Sequence, residues 1–316
     1  MGKISVIISL FLWLQGLLVY SQQMKFYPNQ GIFMAQMTCL EADSDSSVWI
    51  GTSKDGLKNF NGSKLVKFDR QNSPLGPLIR DIFIDSLDNI WVAFYAYDGE
   101  NKIGRYDGST WKIFTIDDIK NNTFSQLKGN KRGTIFAIGS GISVYDNQNW
   151  SSLDSPVEFA ESISFNKDDL LTVASSEAIW MFNKNEWTEI KQNRPADHKS
   201  RIKIIKWHED ILIIGYNKFG GGGFSVLMEG QWKHFNNSNT DMPATGIHNI
   251  ETDDAGNIWL AGDGGIILFN EEVLKIIPIR KDDRQAYIVD ISLQSESLWI
   301  ASNLGLIKMN TSGLTK

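Results

Sequence analysis

The stretch Asp253–Phe269, DDAGNIWLAGDGGIILF, decides the fold because variants of it recur along the chain. Asp43–Phe60 reads DSDSSVWIGTSKDGLKNF and Asp85–Phe94 reads DSLDNIWVAF. Each has an acidic turn and then a Trp between apolar neighbours; the longer two add a glycine and a second apolar run. The Trp-type position recurs at Trp49, Trp91, Phe136, Leu171, Leu212, Trp259 and Trp299, at intervals of 35 to 47 residues. Tandem self-similarity on this scale marks a repeat architecture rather than a single mixed core.

Within each unit the apolar runs are short, rich in Ile, Val, Phe and Trp, and bounded by Asp, Asn, Ser and Gly, as strands and hairpin turns require. After the Trp come runs such as GLKNF, KIGRY and GIILF, then a closing run such as KLVKF, TWKIF or QWKHF. With the run before the acidic turn, each unit holds four strands, the composition of a β-propeller blade. Seven units are counted. The last, ending GLIKMNTSGLTK, lacks a closing run, whereas MKFYPNQ at Met24–Gln30 mimics LVKFDRQN at Leu65–Asn72. The expected fold is therefore all-β: a seven-bladed β-propeller over residues 22–316, closed by an N-terminal strand that completes the last blade. Each recurring Trp is expected to wedge into the neighbouring blade, because one twisted sheet cannot bury both of its faces alone.

The remaining composition narrows the function. The chain has 316 residues and a net charge of −6, which argues against nucleic acid, a partner that demands clustered Lys and Arg. Residues 1–21 begin with Lys3 and an apolar run from Ile4 to Val19, with small side chains at Val19 and Ser21 ahead of Gln22. This reads as an export signal, cleaved ahead of Gln22 or else retained as an anchor; the run is short for a spanning helix, and no later segment is apolar enough to cross a bilayer. A periplasmic or secreted protein is expected. Cys39 is the only cysteine, so no internal disulfide forms.

The phrases SVWIGTSKDGLKNFNG and GNIWLAGDGGIILF resemble the two-component regulator propeller repeat, in the first, second, sixth and seventh units; units three to five lack the Trp. The resemblance implies a sensor propeller of the kind found outside the membrane in bacterial hybrid histidine kinases, often ones that respond to glycans. Those proteins continue into further domains and kinase modules. This sequence runs to Lys316 without them, so the expectation is signalling through a separate sensor kinase.

A similar repeat occurs in the streptogramin lyase group, which implies the alternative of a metal-dependent lyase or hydrolase. There a His on the innermost strand works with a Glu three residues after the Trp. His248 stands at the matching spacing before Trp259, but the Glu position is Gly262, so the acid–base pair is incomplete. The other histidines, His198, His208 and His234, show no metal-ligand spacing. Neither a GxSxG elbow nor a phosphate loop is present, since the glycines of KFGGGGF precede no GK[ST]. No catalytic residue, metal or cofactor is therefore assigned.

A ligand is expected on the face that carries the loops between second and third strands. Two of these loops are enlarged, Phe94–Lys102 and Gly215–Gly223. Aromatic side chains beside carboxylates and amides suit sugar rings or peptides. Tyr95, Tyr97, Asp98, Tyr216 and Phe219 are the first candidates. Arg80, Arg201, His248, Arg284 and Tyr287, close to the starts of innermost strands, are the second. The partner expected is a small molecule, a glycan or a protein.

Overall fold

The computed structural model describes residues 23–27, 36–193, 199–270 and 274–314. Residues 1–21, read above as an export signal, Pro28–Gln30 and His198 lie outside the described residues. Seven four-stranded antiparallel sheets are arranged as blades. In the first, Met37–Ala42 is innermost, followed outward by Val48–Thr52, Leu57–Phe60 and Leu65–Phe68. In the seventh, Ile288–Gln294 is innermost and Met24–Tyr27 is outermost. Met24 pairs with Met309 and Tyr27 with Leu306, so the two ends of the chain share one sheet. That pairing covers a strand edge that would otherwise be open.

The apolar core is divided into seven, one between each pair of neighbouring blades. Trp49 packs with Ile79, Ile82 and Val92 of the second blade, and Trp91 with Leu127, Ile135 and Tyr145 of the third. Trp259 packs against the seventh blade and Trp299 against the first, which closes the circle. The acidic turn has a second task besides turning. Asp43, Asp85 and Asp253 each accept a hydrogen bond from the indole N–H of the Trp six residues later, at 2.8, 2.8 and 3.1 Å. In the seventh blade Gln294 does the same for Trp299 at 3.1 Å. A buried indole thus keeps a partner for its only polar group, as burial demands.

Glycine after the Trp makes the wedge fit. A Cβ on Gly51 would lie 2.4 Å from the Cys39 sulfur and 2.8 Å from Ile79. Gly56 holds φ at +71° in the hairpin turn, a conformation that side-chain-bearing residues rarely adopt.

Two wedge assignments shift by one residue. Pairing of Ser162 with Ala174 and of Ile204 with Gly215 puts Thr172 and Ile213, not Leu171 and Leu212, at the Trp position. Leu171 and Leu212 instead face the preceding blade. Successive strand residues point to opposite faces, so a one-residue slip reverses the side. Thr172 is too small to fill the gap, and Trp207 reaches back from the fifth blade, donating to the Thr172 hydroxyl at 2.9 Å. The linkers add two small elements that the repeat does not announce. One is a helix, Ile116–Ile119; the other is a two-stranded hairpin of Arg280–Lys281 with Arg284–Gln285.

Candidate functional site

The innermost strands surround a cavity of about 500 Å³. Six of the seven carry a β-bulge near their first residues, skipping Thr38, Arg80, Ser125, Lys203, His248 and Val289 in the pairing. Glu161 takes this place in the fourth blade, directly before Ser162. A bulge re-aims its extra side chain. All seven of these residues line the cavity, forming a ring at the end where the blade-to-blade linkers arrive.

In five blades the residue after this position ties its blade to the next. Asp81 accepts the Leu127 N–H at 2.6 Å, Gln126 the Ile163 N–H at 2.9 Å, Ser162 the Ile205 N–H at 3.1 Å and Asp290 the Leu40 N–H at 2.8 Å. Asn249 donates to the Ile291 carbonyl at 3.0 Å and to the Asp290 carboxylate. Deeper still stand Glu41, Lys128, Lys206 and Glu251, where Lys206 and Glu251 pair at 2.9 Å. Burial pushes the carboxyls of Glu41, Asp81 and Asp290 up to about 7, and repulsion between neighbouring carboxylates adds to it. Burial alone would lower the Lys128 ammonium. The carboxylates of Glu41, Glu251, Asp81 and Asp290 outweigh it and raise the group instead.

At the mouth, the sixth blade departs from its neighbours. In the fifth and seventh blades, Arg201 and Tyr287 sit two residues before the bulge, each bracketed by an Asn. Arg201 N–H donates to the Asn217 side chain at 3.1 Å, and Tyr287 N–H to that of Asn303 at 2.6 Å. In the sixth blade the bracket is Asp263 and the residue it holds is Gly246, whose N–H donates to the carboxylate at 3.2 Å. With no side chain at Gly246, Asp263 is free to reach His248, whose Nε2 lies 2.9 Å from its Oδ1. Lys218 approaches the other oxygen at 3.5 Å. Partial burial opposes ionisation of Asp263, but the hydrogen bonds from His248 and Gly246, with the nearby charges, hold its carboxyl below the ordinary range. Tyr287, 52% exposed, places its ring 5.1 Å from the His248 ring.

The structure therefore sorts the candidates. Arg80, His248 and Tyr287 line one cavity, and Arg201 stands beside them through Asn217, the residue next to Lys218. Tyr216 is wholly buried, contrary to its assignment to an exposed loop: the strand Ile211–Tyr216 runs one residue further and pairs Tyr216 with Ile202. Its hydroxyl bonds to Ser225 at 2.9 Å inside the blade. Tyr95, Tyr97, Asp98 and Phe219 lie away from the cavity lining. Arg70 stacks on Tyr97 at 5.1 Å, Asp98 pairs with Lys102, and Phe219 is an exposed tip. Arg284 belongs to the small linker hairpin, 3.9 Å from Asp282.

Sequence reasoning missed Asp263, because it looked for a carboxylate at Gly262, one residue earlier, where the strand still pairs with Ile247. The bulge ring was missed as well, except at Arg80 and His248. The donors do not fit a metal. The carboxylate beside His248 already shares a lysine ammonium, and among the described residues no group of three or more His, Cys, Asp or Glu is arranged to hold one.

No family model matches the chain, and no curated protein matches it in sequence. Solved structures match it as a fold. A catalytically inactive histidine-to-alanine form of virginiamycin B lyase from Staphylococcus aureus, with quinupristin, is 18% identical with a TM-score of 0.74, covering 91% of this chain and 98% of that one. The extracellular domain of a putative hybrid two component system from B. thetaiotaomicron is 16% identical with a TM-score of 0.68, over 91% of this chain and 39% of that one. YCF48 from Cyanidioschyzon merolae is 13% identical with a TM-score of 0.64, over 91% and 99%. Extracellular domains of putative two component system proteins thus stand among the structures that share this seven-bladed fold, alongside a lyase. Among the described residues no helix is long and apolar enough to cross a membrane.

Proposed function

We propose that this protein, exported after removal of residues 1–21, is a non-enzymatic propeller that binds a ligand at the channel mouth in extracytoplasmic sensing. The observation that carries the reading is the cavity whose rim joins Arg80, Lys203, His248 and Tyr287 from four blades. A concave site with convergent polar groups and one exposed aromatic ring suits a polar ligand such as a saccharide. The extracellular two-component domains with the same fold support the sensing role, and signals would pass to a separate kinase. The test is a glycan array followed by calorimetry on hits. Tyr287→Ala with His248→Ala is expected to abolish binding while Tyr95→Ala with Tyr97→Ala leaves it intact; the reverse pattern would place the site on the enlarged loop instead.

A catalytic reading has one observation in its favour, the His248–Asp263 pair, in which a carboxylate orients an imidazole as general acid–base chemistry needs. Mass spectrometry of a bound ligand after prolonged incubation decides between the two. An unchanged ligand keeps the sensor; a cleaved one, spared by His248→Ala, establishes the enzyme.

A further inference from the structure

The notch that Gly246 leaves between Arg201 and Tyr287 has a chemistry of its own. Its floor is His248 with Asp263, and Lys218 forms one wall, its backbone nitrogen 3.0 Å from where a Gly246 Cβ would stand. One side presents the open ring of Tyr287. The other presents Lys203, which the bulge turns into the cavity, with Arg201 exposed just before the strand Ile202–His208. Neither cation has a carboxylate within ion-pair distance among the described residues, and neither side chain makes a hydrogen bond there. Arg80, across the ring, is satisfied only by the neutral Asn101 at 3.2 Å. Of the carboxylates at this end, Asp263 is already shared by His248 and Lys218, and Glu161 stands in the ring on the far side of Lys203. Arg80, Arg201 and Lys203 thus outnumber the carboxylates left unengaged at this end of the cavity, in a protein of net charge −6. Unpaired Arg and Lys at a concave site favour an anionic partner, and low-dielectric walls focus that preference.

Building on the saccharide-binding reading above, we propose that the notch selects a sugar ring that bears a carboxylate, with the ring on Tyr287 and the acid facing Arg201 and Lys203. An apolar ring face stacks on an aromatic ring, while a carboxylate matches the planar guanidinium fork. The two recognition elements lie on opposite sides of the notch, so a ligand that has only one of them fills half of it.

The experiment is calorimetry with three probes: a galacturonic acid trisaccharide, the same trisaccharide as its methyl ester, and inorganic sulfate. The acid is expected to bind at least about tenfold more tightly than the ester. Arg201→Met with Lys203→Met is expected to remove that advantage, bringing the acid down to the affinity of the ester, and Tyr287→Ala to weaken both sugars. Added salt is expected to weaken only the acid. All three changes fall on solvent-facing side chains, and an unshifted Tm verifies that the fold is kept. Equal affinity for acid and ester overturns the inference yet leaves the mouth as a sugar site. Sulfate binding as well as the acid overturns it too, since the ring would then contribute nothing. Binding of neither sugar also overturns it, and the array decides separately whether the mouth takes another ligand.

Discussion

The seam between the second and third blades and the seam between the fourth and fifth solve one packing problem in opposite directions. In the first, Trp91 points forward, 1% exposed, stacked on Phe114 at 5.9 Å and edge-on to Tyr145 at 5.0 Å. In the second, the forward position is Thr172, and Trp207 comes back from the following blade to meet it. The ring needs a bulky group in each seam, but the group can come from either side. The repeat motif is thus one solution to closure and not the condition for it.

This difference explains what the sequence could and could not disclose. Where a Trp follows an acidic turn, it fixes which face of its strand points forward, and the blade can be read directly. In DLLTVAS and DILIIGY every position is apolar or nearly so, alternation vanishes, and the register of Leu171 and Leu212 is lost by one residue. The mouth was less legible still. A bulge is an insertion with no residue signature, so Thr38, Ser125, Lys203 and Val289 gave no sign of facing the channel. Asp263 depended on whether strand pairing ended at Gly262, a matter of turn length that composition does not reveal.

The largest effect separates the two wedges. Trp91→Ala removes a fully buried aromatic and is expected to cost about 3–5 kcal/mol of unfolding free energy. Trp207→Ala, in a half-buried position, is expected to cost about half as much by the area it hides. Denaturant unfolding of the two variants measures this. Equal losses would mean that the seams are built alike after all.

A smaller difference lies in how each indole N–H is satisfied. Asp85 accepts from Trp91 and also from the backbone and side chain of Asn89, at 2.8 to 3.0 Å. Asp85→Ala therefore leaves a buried indole donor unpaired and loosens the turn, an expected loss of about 1–3 kcal/mol. Thr172→Val keeps the shape and removes one neutral acceptor, for an expected loss nearer about 1 kcal/mol. If Asp85→Ala is the milder of the two, the acidic residue serves only the turn.

The smallest effect concerns a bond that crosses five of the seams on the channel side. Asp81 carries it between the second and third blades; Ser162 carries it between the fourth and fifth. Only the first can titrate. Burial raises the Asp81 carboxyl from its ordinary value to about 7, so between the two values the folded protein holds a proton that the unfolded chain has released. The stabilisation is complete below the ordinary carboxyl range and is lost as pH rises through about 7. Glu41 and Asp290 act in the same sense. The Tm is therefore expected to be higher at mildly acidic than at mildly alkaline pH. Asp81→Asn keeps an oxygen for the Leu127 N–H and cannot ionise, so it is expected to flatten that dependence, with its benefit confined to the alkaline side. A variant as pH-sensitive as the parent would show that the charge at this seam is neutralised by Lys128 and imposes no penalty. Because the change converts a titrating tie into the neutral kind already present between the fourth and fifth blades, it also tests whether the carboxylate contributes anything to the seam beyond the hydrogen bond itself.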